Sequence, residues 1–416
     1  MDYNPGNILL DKLTLVNYRG DEFDILSSFS SIEIFEDILD STLSARVVIL
    51  DTTDLYQNFP IIGREKVLIS FRTTREHAPV NLELMTYDIP IVQNVMKNVS
   101  GFVLELMTED GINARTTHSM VPMNGNVGDA IKSVMTDVIG SSRSIEADQI
   151  INKITYIPPR QKPFEVINTL CNRAVSNISN DVCDILFYDT VDGYKLKSLT
   201  GLMREPAKFR YRIAELNELG NEAASKEDFF VIGSYTTHQA GSILGNALGG
   251  SLGGSLGVFD IVNRQYTEKT FNIIDDQDKF EFINSGITVD ADAKIVKNSI
   301  SGNFRYVLSG TKDHSLFLRT AKLDQVFSGN RLVADLAGNS DLRVGQTLEI
   351  SVPSSTADDA PRMKDDRLVS GKYLITSLRH VIGPNDTANY RTVVELMKDS
   401  NKISLDDTKD LYERLS

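Results

Sequence analysis

Between Glu22 and Arg72 the sequence alternates with period two over its longest continuous stretch. Ile32, Ile34 and Glu36 interleave with Glu33 and Phe35; Leu43, Ala45, Val47 and Ile49 interleave with Ser44, Arg46, Val48 and Leu50. Successive side chains of an extended strand point to opposite faces, so the pattern predicts strands with one buried face. Asp37-Ile38-Leu39-Asp40-Ser41 carries turn formers between the two runs, which predicts an antiparallel pair. After Asp51-Thr52-Thr53-Asp54 a looser arm reaches Pro60, and Gly63 opens a third run with Val67, Ile69 and Phe71 on one face. Val80 to Thr86 and Val99 to Met107 add two more strands, so residues 1–110 read as a small barrel or sandwich.

The texture changes at Glu109-Asp110-Gly111, read as a turn on its Asp-Gly step. Val127, Ile131, Val134 and Val138 then recur at helical spacing, with Asn126 placed to cap the first turn and Gly140 to end the helix. A second helix follows Pro163, with Phe164, Ile167, Leu170, Cys171, Ala174 and Ile178 on one stripe. Ile185 to Tyr188 and Tyr194 to Ser198, joined across Asp192-Gly193, predict a hairpin. Residues 111–205 therefore read as an α+β insertion.

Two strings carry a resemblance. "SARVVILDTTDLYQNFPIIGREKVLISF" is similar to the first barrel of baseplate hub proteins of contractile-tailed bacteriophages, and the spike proteins of type VI secretion open similarly. "KPFEVINTLCNRA" followed by "DILFYDTVDGYKLKSLTGL" resembles a signature of the same hub family. Taken singly, these residues have scaffold roles: Phe164 and Leu170 in a core, Gly193 in a turn, Arg173 on a solvated face.

From Phe229 to Phe259 there is no Asp, Glu, Lys or Arg, and glycine falls at Gly241, Gly245, Gly249, Gly253 and Gly257. Leu244, Leu248, Leu252 and Leu256 repeat with the same step. Three readings compete. A flexible glycine-rich loop comes first, since so much glycine costs a helix about 1 kcal/mol per residue. A helix whose small face admits another backbone comes second, and membrane insertion third, because the span is weakly hydrophobic. Val258 to Ile274 reads as further β structure, with "FDIVNRQYTEKTFN" again resembling the hub family, and Lys312 to Phe327 as a short helix.

"RLVADLAGNSDLRVGQTLEISVP" repeats the opening layout: a strand, a polar turn, Asp341-Leu342, Val344-Gly345, then a second strand with Leu348, Ile350 and Val352. Asp54-Leu55, Ile62-Gly63 and Ile69 are the earlier counterparts, which predicts two related barrels in one chain. "SGKYLITSLRHVI" and "YRTVVELMKDS" supply closing strands and resemble the hub family's C-terminal half; residues 354–366 read as an exposed loop. Ser404 and Asp407 make a capping-box pattern, and Leu405, Leu411, Tyr412 and Leu415 lie along one side of a terminal helix that packs on its own domain or docks on a partner.

No pattern asks for catalysis. His77, His118, His238, His314 and His380 are scattered, there is no HExxH, GxSxG or phosphate-binding glycine motif, and no cofactor or metal site is indicated. Cys171 and Cys183 fit neither a CxxC motif nor a disulfide framework and read as buried thiols of a reducing compartment. Residues 1–10 show no secretion signal. A net charge of −14 disfavours gripping a phosphate backbone.

The fold expected is α+β, mainly β: two tail-tube-like β-barrel domains with an inserted α+β domain and a smaller second insertion. The boundaries are 1–110 for the first barrel, 111–205 for the α+β insertion, 206–237 with 300–400 for the second barrel, 238–299 for the glycine-rich insertion and 401–416 for the helical tail. The resemblance implies a homotrimer whose six barrels form a pseudo-sixfold collar, with the tail tube protein and the central spike protein as partners. Tape-measure and baseplate wedge proteins are further implied partners. DNA would pass in transit without specific binding, no stable membrane insertion is expected, and the place would be the virion baseplate, assembled in the host cytoplasm. Type VI spike proteins continue into an OB-fold domain and a β-helix, whereas this chain stops at Ser416, so the spike is expected to be a separate polypeptide. The alternatives are a tail-tip cell-wall hydrolase, the hub of another contractile injection system, and a membrane-active tip.

Overall fold

The computed structural model describes residues 6–52, 55, 59, 61–63, 65–73, 78–96, 99–179, 182–213, 230–239, 248, 250, 252–272, 282–284, 294–308, 322–323, 326–327, 329–353, 365–366, 368–384 and 390–402. The alternating opening folds as expected. Strands β1 (Leu9–Val16), β2 (Glu22–Asp24), β3 (Phe29–Asp37), β4 (Ser44–Asp51), β5 (Lys66–Arg72), β6 (Val80–Asp88), β7 (Val92–Met96) and β8 (Val99–Met107) pair in the order β2-β1-β5-β6-β8-β4-β3, with β7 also on β8. Every pairing is antiparallel. Ile32, Ile34, Ala45, Val47, Val67, Phe71, Leu84 and Leu104 turn inward to one core, as the period-two pattern requires.

The α+β insertion holds α1 (Glu109–Thr116), β9 (Met123–Asn126), α2 (Val127–Ser133) running on through a π-helical turn (Val134–Ile139), β10 (Ile145–Ala147), β11 (Lys153–Tyr156), α3 (Pro163–Cys171), β12 (Ile185–Thr190), β13 (Gly193–Ser198) and α4 (Leu199–Arg204). The expected turn at Glu109-Asp110-Gly111 is instead the first turn of α1. Tertiary contacts override the Asp-Gly signal. Asp110 is buried and accepts from Ser141 Oγ at 2.6 Å and Tyr194 Oη at 3.1 Å, while a Cβ on Gly111 would lie 2.5 Å from Thr42 Cγ2, so glycine serves close packing on the first barrel. The second helix ends at Cys171, short of Ala174 and Ile178. Both cysteines are buried free thiols.

Asn126 caps α2 as read: its Oδ1 accepts from Gly128 N at 2.8 Å, and its Nδ2 donates to Ile150 O at 2.8 Å. Asn126→Ala is expected to cost about 1 kcal/mol in chemical denaturation, with Asn126→Asp losing less because it keeps the cap acceptor. Equal losses would show that the cap bond contributes nothing.

Strands β14 (Phe209–Ile213) and β15 (Val231–Gln239) open the second barrel. A small sheet follows: β16 (Gly253–Asp260), β17 (Gln265–Asn272), helix α5 (Lys294–Gly302) and β18 (Phe304–Leu308), in the order β17-β16-β18. Then come β19 (Asn330–Ala337), β20 (Thr347–Ser351), β21 (Gly371–Ile382) and β22 (Tyr390–Lys398). The six strands β14-β15-β19-β22-β21-β20 close into a barrel, β14 lying parallel to both of its neighbours. Leu332, Ala334, Leu348, Ile350, Leu374 and Leu396 fill it.

The two units repeat one plan. Equating β3 with β15, β4 with β19, β5 with β20, β6 with β21 and β8 with β22 gives the same neighbour order in both. β1 and β14 each flank the β5 or β20 position, but β1 runs antiparallel to β5 and β14 parallel to β20, and among the described residues only the second unit closes, through β14 and β15. Leu55 and Leu342 are both buried, and Gly63 and Gly345 share a left-handed backbone, φ +86° and +84°. In the pairing of β6 with β8 the register slips between Thr86 and Asp88, opposite Leu106 and Glu105; in that of β21 with β22 it slips between Ile375 and Ser377, opposite Leu396 and Glu395. The same bulge therefore faces Glu105-Leu106-Met107 in one unit and Glu395-Leu396-Met397 in the other.

Within the glycine-rich stretch, Gly253 and Gly257 are neither loop nor helix but buried positions of β16. A Cβ at Gly253 would lie 2.7 Å from Ile300 Cγ1, and one at Gly257 2.9 Å from the Tyr266 ring, so glycine lets α5 and a tyrosine lie flat on the strand. Pairing of β18 with β16 carries this sheet to Leu308, beyond the expected end of the insertion at 299, and α5 was not anticipated. Residues 312–321, 324 and 325 of the helix expected over 312–327 lie outside the described residues, as do residues 354–364 of the expected loop.

Candidate assembly surfaces

The two barrels are joined by main chain. Strand β3 pairs antiparallel with the outer half of β21, from Ser377 opposite Asp37 to Ile382 opposite Ile32. Ser377 Oγ donates to Asp37 Oδ2 at 2.7 Å, and Arg379 lies 3.7 Å from Glu33. Ile382 and Tyr390, at the end of the second barrel's long hairpin, are buried in the first barrel's core. Tyr390 Oη and His380 Nδ1 are 2.9 Å apart, and the Phe71 ring packs edge-on against both rings. Burial among these rings pushes the His380 imidazole down to about 3, so it is neutral at ordinary pH.

A buried polar knot ties this joint to the insertion. Glu36 Oε1 accepts from Val191 N at 2.9 Å and Oε2 from Val344 N at 3.1 Å, so one side chain of β3 bonds both the β12–β13 turn and the second barrel. Burial pushes its carboxyl up to about 7, against the pull of Arg343 and the two N–H groups. Arg343 makes a fork to Asp192, Nε at 2.8 Å and Nη2 at 3.0 Å, and donates Nη1 to Ser340 O and Leu342 O at 2.6 and 2.7 Å. Nearby, the buried Asp189 accepts from Arg143 Nη1 at 2.7 Å and from Leu43 N of β4 at 3.0 Å. A cleft of about 600 Å³ lies at this seam between insertion and first barrel, lined by Asp40, Thr42, Arg115, Lys162, Phe164 and Phe187. The Pro-Phe signature thus contributes to the seam, which fits its scaffold reading.

Among the described residues, the opposite edges carry no further strand. Residues 233–238 of β15 are exposed at every position, and residues 87–93 are exposed apart from the half-buried Ile89. Among the described residues, no metal-holding group of His, Cys, Asp or Glu is present, and no helix is long and apolar enough to cross a membrane.

Of the residues singled out in the sequence, Gly253 and Gly257 lie in β16, remote in topology from the joint between barrels. Gly241, Gly245, Gly249, Leu405, Leu411, Tyr412 and Leu415 lie outside the described residues. Sequence reasoning missed Glu36, Arg343 and Asp192, which are far apart in the chain and share no motif.

Neither the models of known protein families nor the curated proteins match this sequence. Solved structures do. A tail protein from Neisseria meningitidis MC58 is similar at 11% identity and TM-score 0.55, over 93% of this chain and 96% of that one. The 43 kDa tail protein of prophage MuSo2 from Shewanella oneidensis gives 8% identity and TM-score 0.56, over 93% and 98%. The chain has the fold of phage tail proteins. Prophage tail protein gp18 from Listeria monocytogenes EGD-e gives 7% identity and TM-score 0.51, over 93% and 94%. The tail-protein fold spans both barrels and both insertions, so the resemblance drawn from residues 162–202 and 371–399 holds at the level of architecture.

Proposed function

We propose that this protein is a structural hub of a contractile phage tail or a related injection device, a homotrimer whose six barrels form a pseudo-sixfold ring between a hexameric tail tube and a trimeric spike. The observation that carries it is the repeated barrel: one strand order, one bulge and one Glu-Leu-Met string occur twice in a single chain, welded by β3 and β21. A duplicated chain is what lets three subunits offer six equivalent units to one neighbour and three to another. The net charge of −14 suits a ring through which DNA passes without adhering. No catalytic step is needed for this role, and its place is the virion.

Mass measurement on the purified full chain is expected to give three chains per particle, with a threefold ring in low-resolution images and no clearing of peptidoglycan. A monomer that clears cell wall would replace this reading with that of a tail-tip hydrolase.

A further inference from the structure

The intra-chain joint is asymmetric, and its asymmetry identifies the surface by which one copy meets the next. Within the chain, the second strand of barrel one, β3, pairs with the fifth strand of barrel two, β21. The repeat leaves one counterpart of each: β15, equivalent to β3, and the strand formed by β6 running on through β7, equivalent to β21. The β3–β21 joint leaves its strands alternating buried and half-buried over residues 32–37 and 376–382. Among the described residues their counterparts have no such neighbour. Among the described residues, β15 meets β14 only at Val231 and Ile232 and has no strand on that side from Gly233 onward. On the side of β5, β6 is paired as far as Met85, with Thr86 N still donating to Glu65 O at 2.9 Å, and among the described residues no strand lies on that side from Tyr87 onward.

We infer that β15 of one copy pairs antiparallel with the Tyr87–Gln93 edge of a second copy, reproducing between chains the β3–β21 joint made within each. This rests on the hub reading for the number of copies, because topology fixes a head-to-tail contact and the closing rotation fixes the count. Three features favour a second copy as the occupant. Each chain offers one edge of each kind, so every contact satisfies one of both and a closed ring leaves none over. The edges carry little charge: Tyr235-Thr236-Thr237-His238 on one has no carboxylate, lysine or arginine, and Tyr87-Asp88-Ile89-Pro90-Ile91-Val92-Gln93 on the other has Asp88 alone, in a chain of net charge −14. A sheet edge that stays in water is ordinarily guarded by charge, so lightly charged edges of this kind suit pairing. Tyr235, Tyr87, Ile91 and Val92 are 41, 46, 49 and 48% exposed, apolar area that such a joint would cover. Pro90 removes one donor from its edge, which narrows the registers the edge accepts.

Register follows from the template. Through β4, β8, β19 and β22, Phe35 corresponds to His238, Ile34 to Thr237 and Glu33 to Thr236. His380, opposite Ile34 and Thr392, has Val92, opposite Phe102, as its counterpart; the chain takes an extra residue between Asp88 and Val92, so Val92 faces Thr237 counted from Phe102 and Thr236 counted from Asp88. Facing Cα atoms in an antiparallel pair lie roughly 4.5–5.5 Å apart, inside disulfide range. The test is oxidative cross-linking of full-length Val92→Cys combined in turn with Thr236→Cys and with Thr237→Cys; the native Cys171 and Cys183 are buried. One of the double variants should run mainly as two- and three-chain species on a non-reducing gel, while each single variant stays at one chain. Double variants that cross-link no more than the singles, in a protein that mass measurement still finds as a trimer, would overturn the edge assignment and leave the hub reading standing. A monomer by mass would overturn both.

Discussion

Gly338→Ala is expected to destabilise the protein by roughly 3 kcal/mol or more, at the point where the two barrels are welded. An added Cβ would lie 2.1 Å from Cγ and Cδ1 of Tyr390 and 2.7 Å from Cδ2. The ring has nowhere to go: it is fully buried, its Oη is bonded to His380 Nδ1 at 2.9 Å, and it abuts Phe71 with centroids 6.1 Å apart. Nor is the backbone free, since Gly338 N donates to Tyr390 O at 2.9 Å and Asn339 N to Thr392 Oγ1 at 3.0 Å. A loss of that size is a large part of the roughly 5–15 kcal/mol that holds a domain folded. The attribution can be isolated by a double-mutant cycle. Tyr390→Leu removes the obstructing ring, so Gly338→Ala should cost much less on that background than alone. A single variant within about 1 kcal/mol of wild type in urea unfolding would show that the loop accommodates the methyl group and the weld is looser than described.

What the sequence revealed tracks how local each determinant is. The hairpin of β3 and β4, the capped helix at Asn126 and the hairpin across Asp192-Gly193 are specified by residues within one turn of each other, and all three form. The internal repeat was legible at β4–β5 and β19–β20 because a left-handed glycine precedes the second strand in each. Its stronger mark, Glu-Leu-Met at 105–107 and 395–397, lies about three hundred residues apart and acquires meaning only once both strings face a bulge. Closure of the second barrel was not legible. Parallel pairing of β14 with β20 joins residues about 140 apart, and no turn chemistry announces a parallel neighbour. The glycine spacing of four was read for helix or loop, whereas the two described glycines obey a strand's rule and sit where α5 and Tyr266 crowd the backbone.

The Glu36 carboxyl should make the weld sensitive to pH, in a direction opposite to that of most carboxylates. Its folded value is raised from 4.5 to about 7 by burial, so the folded chain holds this proton over a range where the unfolded chain has released it. Stability from this group is therefore fully present below about 4.5 and is lost as pH rises to about 7, a span worth about 3 kcal/mol at roughly 1.4 kcal/mol per pH unit. His380 runs the other way. Held neutral with its value lowered to about 3, it loses stability as pH falls below 6.5, so the raw pH profile of the wild type should look nearly flat between 4.5 and 6.5. The opposing slopes separate by difference. Glu36→Gln abolishes the carboxyl and leaves His380 in place, so the stability of wild type relative to this variant should fall by about 3 kcal/mol from pH 4.5 to pH 7. Arg343 lowers the Glu36 value by its charge, so Arg343→Met should extend the loss to higher pH, leaving the carboxyl protonated in the folded chain beyond about 7. A relative stability of wild type and Glu36→Gln that does not change with pH would mean that Glu36 ionises freely at the joint, and that the three parts it links are held by their backbone pairings alone.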